Sequence, residues 1–168
     1  MSSRELHRAA EARLAERDQR YTANRRRIVE ALAEASSPQT LPQLLHRRPH
    51  LTQSSTYRNL AALEDAQVVR RIVSGSEHAH YELAEHLTEH HHHLVCVECG
   101  SITDVTLEAP LEARLERAFD VAAEVNGFRP AGHSIDIYGH CADCTSPRSR
   151  SLRANRPVRA GSGGQNQG

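Results

Sequence analysis

All four cysteines of this 168-residue chain fall into two Cys-x-x-Cys pairs, Cys96/Cys99 and Cys141/Cys144, and none is left over. Two thiolates at that spacing wrap a turn around a single ion. In a chain kept where disulfides are scarce, two such pairs predict a tetrahedral four-cysteine zinc site. A redox-switching dithiol and an iron–sulfur cluster are weaker readings of the same spacing. A shell of four sulfurs leaves no open position, so the predicted role of Zn²⁺ is structural: it pins the strand that begins at His93 to the end of the chain. The length allows one ordinary domain or two small ones of about 70 residues, and a domain that small buries too little surface to be secure without such help.

The segment leading into the first cysteine pair is the second constraint. Seven of the 12 histidines lie between His78 and His93, and His90 to His93 are consecutive. Side chains alternate across a strand, so His91 and His93 face one way and His90 and His92 the other, and one extended segment can feed two metal sites. Imidazoles with nearby acids suit zinc, iron, nickel or copper. If the turn of a hairpin is centred between Cys96 and Cys99, Asp104 falls opposite His91, and Glu82 can reach the same place from the preceding strand. Glu82, His91, His93 and Asp104 are therefore one expected site, bridging two domains; His90, His92, Glu112 and His133 are the other.

Charge divides the chain. Met1 to Gly75 carries 13 Arg against 8 acids, Ser76 to Thr145 carries 3 Arg against 13 acids, and the remainder has 5 Arg and no acid. A basic part that meets a polyanion and an acidic part that meets cations fit that division. Within the basic part, helices are expected over Ser2–Arg20, from Thr22, over Leu41–Arg47 with Pro42 in its first turn, and over Leu51–Glu64. The last has a polar start, Ser54, Ser55, Tyr57 and Arg58, which is what a helix entering a DNA major groove needs. Strand-like Val68–Val73 and His80–Leu83, separated by Ser74-Gly75-Ser76, complete a winged-helix pattern. Beyond Ala84 the order changes to strand, strand (Ser101–Val105), helix (Leu111–Val125) and strand (His133–Tyr138). The expected class is thus α+β: a winged-helix domain over 1–84, a hinge over 85–90, a small α/β domain over 91–145 and a disordered Arg-rich tail over 146–168. No run of 18 apolar residues and no secretory signal is visible, which predicts a cytoplasmic chain with no membrane role.

Tyr57-Arg58-x-Leu60, His90–His93 running into Leu94-Val95-Cys96-x-x-Cys99-Gly100, and His133-x₅-Gly139-x-Cys141-x-x-Cys144 together resemble the ferric uptake regulator family of bacterial metal-responsive repressors, from about Leu14 to Thr145. The resemblance implies a homodimer that binds palindromic, AT-rich double-stranded operator DNA when a divalent corepressor fills the hinge site, repressing metal-homeostasis genes. By position, Glu82, His91, His93 and Asp104 match the family's sensory site, Asp104 resembling the aspartate of its peroxide-sensing branch, and His90, His92, Glu112 and His133 match its second site. Iron and peroxide sensors of the family usually supply a histidine where this chain has Gln39, and zinc sensors a cysteine near Glu82 to His86; here His78, His80 or His86 is the available substitute. The expected regulatory ion is Fe²⁺ or Zn²⁺, with Mn²⁺ or Ni²⁺ and a peroxide signal less favoured. Arg20, Arg25, Ser54, Ser55, Tyr57 and Arg58 are the expected DNA contacts. No catalytic motif such as His-Glu-x-x-His or a nucleophile elbow is present, so no enzyme and no small-molecule substrate is expected. The alternative is a metal carrier or store that does not bind DNA.

Overall fold

The computed structural model describes residues 1–73 and 79–146. The Ser74-Gly75-Ser76 signal, His78 and the tail beyond Ser146 lie outside the described residues.

Ser2 caps the first helix, α1 (Ser3–Ala15), through a reciprocal pair: its hydroxyl accepts from the Glu5 N–H, and the Glu5 carboxylate accepts from the Ser2 N–H at 2.8 Å. Leu6, His7, Ala10 and Leu14 form its buried face. The helix ends at Ala15, short of the expected Arg20, because nothing apolar follows Leu14 to extend that face. Asp18 turns into the left-handed region at φ 55°, and the Gln19 N–H donates back to the Leu14 carbonyl at 2.8 Å.

Thr22 caps α2 (Ala23–Ala33), which buries Ile28, Val29 and Leu32. A two-residue strand, β1 (Gln39–Thr40), follows; it is too short to leave a periodic signal in the sequence. Thr40 and Gln43 then cap α3 (Leu41–Arg47), with Pro42 in the first turn as expected. α4 (Gln53–Asp65) buries Thr56, Leu60 and Leu63 and turns Tyr57 and Arg58 outward. β2 (Val69–Ile72) and β3 (His80–Leu83) complete an antiparallel sheet in the order β1-β3-β2. Leucines and valines from all four helices and from this sheet make one core, and it also takes in Leu87 from a single 3₁₀ turn, Glu85–Leu87.

The second sheet has the order β5-β4-β6, with β4 (His92–Cys96) antiparallel to β5 (Ile102–Val105) and parallel to β6 (Asp136–Gly139). Parallel pairing requires a crossover, and α5 (Ala109–Val125) lies within it. A short helix that leaves no periodic signal, α6 (Ala142–Thr145), follows, with Ser146 as its C-terminal cap.

Two expectations are corrected here. The hairpin register places Asp104 opposite His93, not His91. The turn is centred later than expected, because Gly100 adopts φ 72° and the Cys96 N–H donates to the Ser101 carbonyl at 2.9 Å. A slip of two residues preserves the face, so Asp104 stays on the side of His91 and His93. The last strand begins at Asp136 rather than His133, since its ladder starts with the His93 N–H on the Ile135 carbonyl.

The apolar core of this second part is small. Val95 and Ile102 pack with Ile72 of β2, while no residue of α5 is fully buried.

Candidate metal centres and nucleic-acid interface

The hairpin turn and the Cys141–Thr145 segment bring all four cysteines together. Their sulfurs lie within 4.8 Å of one another, and Cys99 Sγ is 3.8 Å from Cys141 Sγ. A tetrahedron with Zn–S bonds of about 2.3 Å has an edge of about 3.8 Å; a disulfide would need about 2.05 Å. None of the four is in a disulfide. Burial opposes ionisation of Cys96, but N–H groups of Cys141, Cys99 and Glu98 aimed at its sulfur lower it to about 6, whereas Cys144 is raised to about 12 by desolvation and by its three sulfur neighbours. Four thiolates cannot share this volume without a cation, so the residues present fit zinc.

Glu82, His91, His93 and Asp104 also converge, with ligand atoms within 4.8 Å of one another. Glu82 Oε2 is 3.0 Å from His93 Nε2 and 3.3 Å from His91 Nε2, and Asp104 Oδ1 is 3.9 Å from His93 Nε2. Arg70, the cross-strand neighbour of Glu82, stands 3.7 Å from its other oxygen. Each imidazole is tied at its far nitrogen: His91 Nδ1 to the Glu89 carbonyl at 2.8 Å and His93 Nδ1 to Asp136 Oδ1 at 3.0 Å. With the proton on Nδ1, both Nε2 lone pairs face the carboxylates, which is the tautomer a metal ligand needs.

Asp104 Oδ1 is buried with no hydrogen-bond partner among the described residues. Burial also holds its carboxyl above the ordinary aspartate value. Burial pushes Glu82 the same way, but bonds from His93 and His91 outweigh it and lower its carboxyl; His93, although desolvated, is raised by Glu82 and Asp136. An orphaned buried oxygen beside two oriented imidazoles fits a divalent first-row ion. On one side the group borders a cavity of ≈ 230 Å³ reached past Leu32, Pro38 and Leu87.

Gln39 takes no part. Its amide donates to the Ser37 carbonyl at 2.8 Å and accepts from Arg47 Nε at 3.0 Å. His80 and His86 are not among the converging ligand atoms.

The opposite face of the histidine run builds the third group. Glu112, in the first turn of α5, puts one oxygen 3.1 Å from His90 Nε2 and 2.8 Å from His133 Nε2, and the other 2.9 Å from His92 Nε2. His92 is 1% exposed. The hydrogen bond from His92 lowers the Glu112 carboxyl, and a bond to Glu85 raises the His90 imidazole. Three nitrogens around one carboxylate fit a transition metal equally well. Asp136, Glu85 and Arg70, which support these groups, carried no sequence signal, because their partners are set by strand pairing and by a turn.

The expected DNA face is assembled on α4 and the start of α2. Tyr57 is 52% exposed and Arg58 and Ser54 are also at the surface. Ser55 is half-buried and receives hydrogen bonds from Asn59 at 3.1 Å and Asn24 at 3.5 Å, beside a shallow groove lined by Thr22, Asn24, Arg58 and Asn59. Arg20 is exposed. The Arg25 guanidinium braces the α1–α2 connection, donating to the Arg20 carbonyl at 2.5 Å and to Gln19 at 2.7 Å.

Comparison with known proteins agrees with this architecture. Residues 16–138 match the Ferric uptake regulator family. The ferric uptake regulation protein of Campylobacter jejuni is 36% identical over 97 residues, an alignment that spans 58% of this chain and 57% of that protein. The peroxide operon regulator of Bacillus subtilis is 27% identical over 149 residues, covering 86% of this chain and 97% of that one. Among solved structures, the Helicobacter pylori ferric uptake regulator superposes with a TM-score of 0.67 at 18% identity, covering 87% of this chain and 95% of its own, a likeness of fold. The Vibrio cholerae ferric uptake regulator does so with a TM-score of 0.58 at 26% identity, over 76% and 96%. With a profile match that spans most of its length, this chain belongs to the ferric uptake regulator family.

Proposed function

We propose that this chain is a cytoplasmic, metal-responsive transcriptional repressor, a homodimer that binds palindromic AT-rich operator DNA when Fe²⁺ or Zn²⁺ fills the Glu82, His91, His93 and Asp104 site. The observation that carries the reading is the origin of those ligands. Glu82 belongs to the sheet of the winged helix, whereas His91, His93 and Asp104 belong to the second sheet or the segment entering it. The proposed units are residues 1–84 and 91–145, joined by 85–90. Only an arrangement of the two that brings Glu82 against the histidines presents all four ligands, so ligand binding and domain placement are linked.

When bound, a divalent cation supplies the charge that lets two carboxylates and two neutral imidazoles share this space. The link need not be large: a 100-fold effect on DNA affinity corresponds to about 2.7 kcal/mol of coupling. Two nitrogens and two oxygens do not select strongly among divalent ions, which supports Fe²⁺ or Zn²⁺ by availability, with Mn²⁺ and Ni²⁺ behind. Zn²⁺ at Cys96, Cys99, Cys141 and Cys144 is structural, and the His90, His92, Glu112 and His133 group is a second metal site.

Dimerisation is supported by large apolar side chains that the second part leaves exposed, Val121 and Val125 of α5 and Ile137 and Tyr138 of β6, which association between copies would cover. In such a dimer the two α4 helices would read successive major grooves about 34 Å apart. Ser54, Ser55, Tyr57 and Arg58 are the base and phosphate contacts, Arg20 and Arg25 add phosphate attraction, and the internal hydrogen bonds of Arg25 and Ser55 hold the surface in shape. No enzymatic role is proposed.

The test is fluorescence anisotropy on DNA from upstream of the chain's own gene and on a scrambled control, at fixed salt, after chelation mild enough to spare the four-cysteine zinc. Specific binding that appears with ferrous iron or zinc and is weakened by Arg58→Ala without loss of metal supports the proposal. Metal binding with no DNA affinity would favour a metal carrier instead.

A further inference from the structure

The second metal site is tied to the DNA-binding domain as well. Glu85 lies in the 3₁₀ turn Glu85–Leu87 of the hinge, and that turn is anchored on the winged-helix core by Leu87. Leu87 is 4% exposed within that core, and the Ala84 N–H donates to the Val68 carbonyl at 3.0 Å. From the same turn the Glu85 carboxylate meets His90 Nδ1. His90 Nε2, the opposite ring nitrogen, faces Glu112 at 3.1 Å within the group completed by His92 and His133.

A metal-ligating imidazole that donates its other N–H to a carboxylate is held in one tautomer and one orientation, and loss of that carboxylate weakens metal binding about 10–100-fold. His92, by contrast, has a buried Nδ1 with no partner among the described residues, so Glu85 is the carboxylate that orients an imidazole of this group from behind. We propose that Glu85 is the positioning residue of the His90, His92, Glu112 and His133 site, and that through it occupancy of this site fixes the hinge turn against the C-terminal domain. This rests on the reading of that group as a metal site. The winged helix and the hinge turn packed on it then each send one carboxylate into a histidine group: Glu82 as a direct ligand of the first, Glu85 through the ring of His90 into the second. Occupancy of either site restrains the same hinge.

The experiment uses the full chain with its four-cysteine zinc retained and the first site disabled by His91→Ala. Zinc is titrated calorimetrically into this parent and into versions that also carry Glu85→Gln or Glu112→Ala, while amide hydrogen exchange is followed over residues 84–88. The expected result is zinc affinity about 10–100-fold weaker with Glu85→Gln. Zinc should slow exchange of the Leu87 and Thr88 amides in the parent and leave it unchanged in the Glu85 variant. If Glu112→Ala abolishes binding while Glu85→Gln binds and protects the turn like the parent, the role of Glu85 is overturned and the metal site stands. If Glu112→Ala binds zinc as the parent does, the site itself is wrong and the inference falls with it.

Discussion

The two halves of this molecule solve the problem of a small core in different ways. The N-terminal half packs Leu14, Ile28, Leu44, Leu60, Leu63 and Val68 out of solvent in a single apolar cluster. The C-terminal half buries few aliphatic side chains, and its central strand puts His92 and His93, each 1% exposed, where a protein of this size would ordinarily place valine or leucine. Its interior is made largely of imidazoles, carboxylates and thiols that could hold ions. A core of that kind holds together only when its charges are matched, so the stability of the second half is expected to depend on ions and pH in a way that of the first does not.

The largest expected effect comes from the zinc site. Structural zinc contributes on the order of 10–16 kcal/mol in small zinc domains; Cys96→Ser or Cys144→Ser should therefore lose zinc and abolish ordered structure in the C-terminal half while the winged helix keeps its own transition. An unchanged melting curve together with full zinc content would remove the contrast between the halves. Next is Leu63→Ala, a completely buried side chain of α4. It should cost about 2–5 kcal/mol in denaturant unfolding of the winged helix and leave zinc content untouched.

A third expectation sharpens the link between the halves rather than either alone. Glu82→Gln should retain the four-cysteine zinc and the fold yet lose most of the metal-dependent gain in DNA affinity, up to about 2.7 kcal/mol if that gain is 100-fold. Anisotropy with and without added metal measures it directly. A variant as metal-responsive as the parent would show that Glu82 is not the transmitting ligand.

The smallest effect is in pH. Without metal at the hinge, the raised His93 imidazole adds stability that is present below its unfolded value and is lost as pH rises through its folded one. The lowered Glu82 carboxyl adds stability that is present above its unfolded value and is lost as pH falls through its folded one. Their mutual attraction is therefore fully present between pH about 4.5 and about 6.5. Metal binding must displace the His93 proton, so hinge affinity should fall as pH drops through that imidazole's titration. Calorimetry in two buffers of different ionisation enthalpy would report the released proton, and a pH-independent affinity would contradict the pairing.

Much of this was legible in the residues themselves. The helix over Leu41–Arg47 was legible with Pro42 in its first turn, and alternation along His90–His93 was enough to sort the four imidazoles into two sets. The sorting survived an error in register, because a slip of two residues changes the partner and not the face. Other features were illegible for identifiable reasons. β1 is two residues long, below any period, and α1 ends where its apolar face runs out rather than at a helix breaker. The bonds that Arg25 makes to a carbonyl and a glutamine nearby follow from the connection between α1 and α2, which no residue pattern announces.

Local chemistry fixed which atoms could hold an ion: cysteine spacing, the histidine run and the acids within reach are properties of residue type and of period, and both are written in the chain. The three-dimensional fold decided the rest. That Asp136 steadies His93, that Glu85 stands behind His90 and that Gln39 turns away to Arg47 depends on which strands lie side by side and where one turn is anchored. Those placements follow from the packing of the whole molecule, through contacts between residues far apart in sequence, which no local pattern encodes.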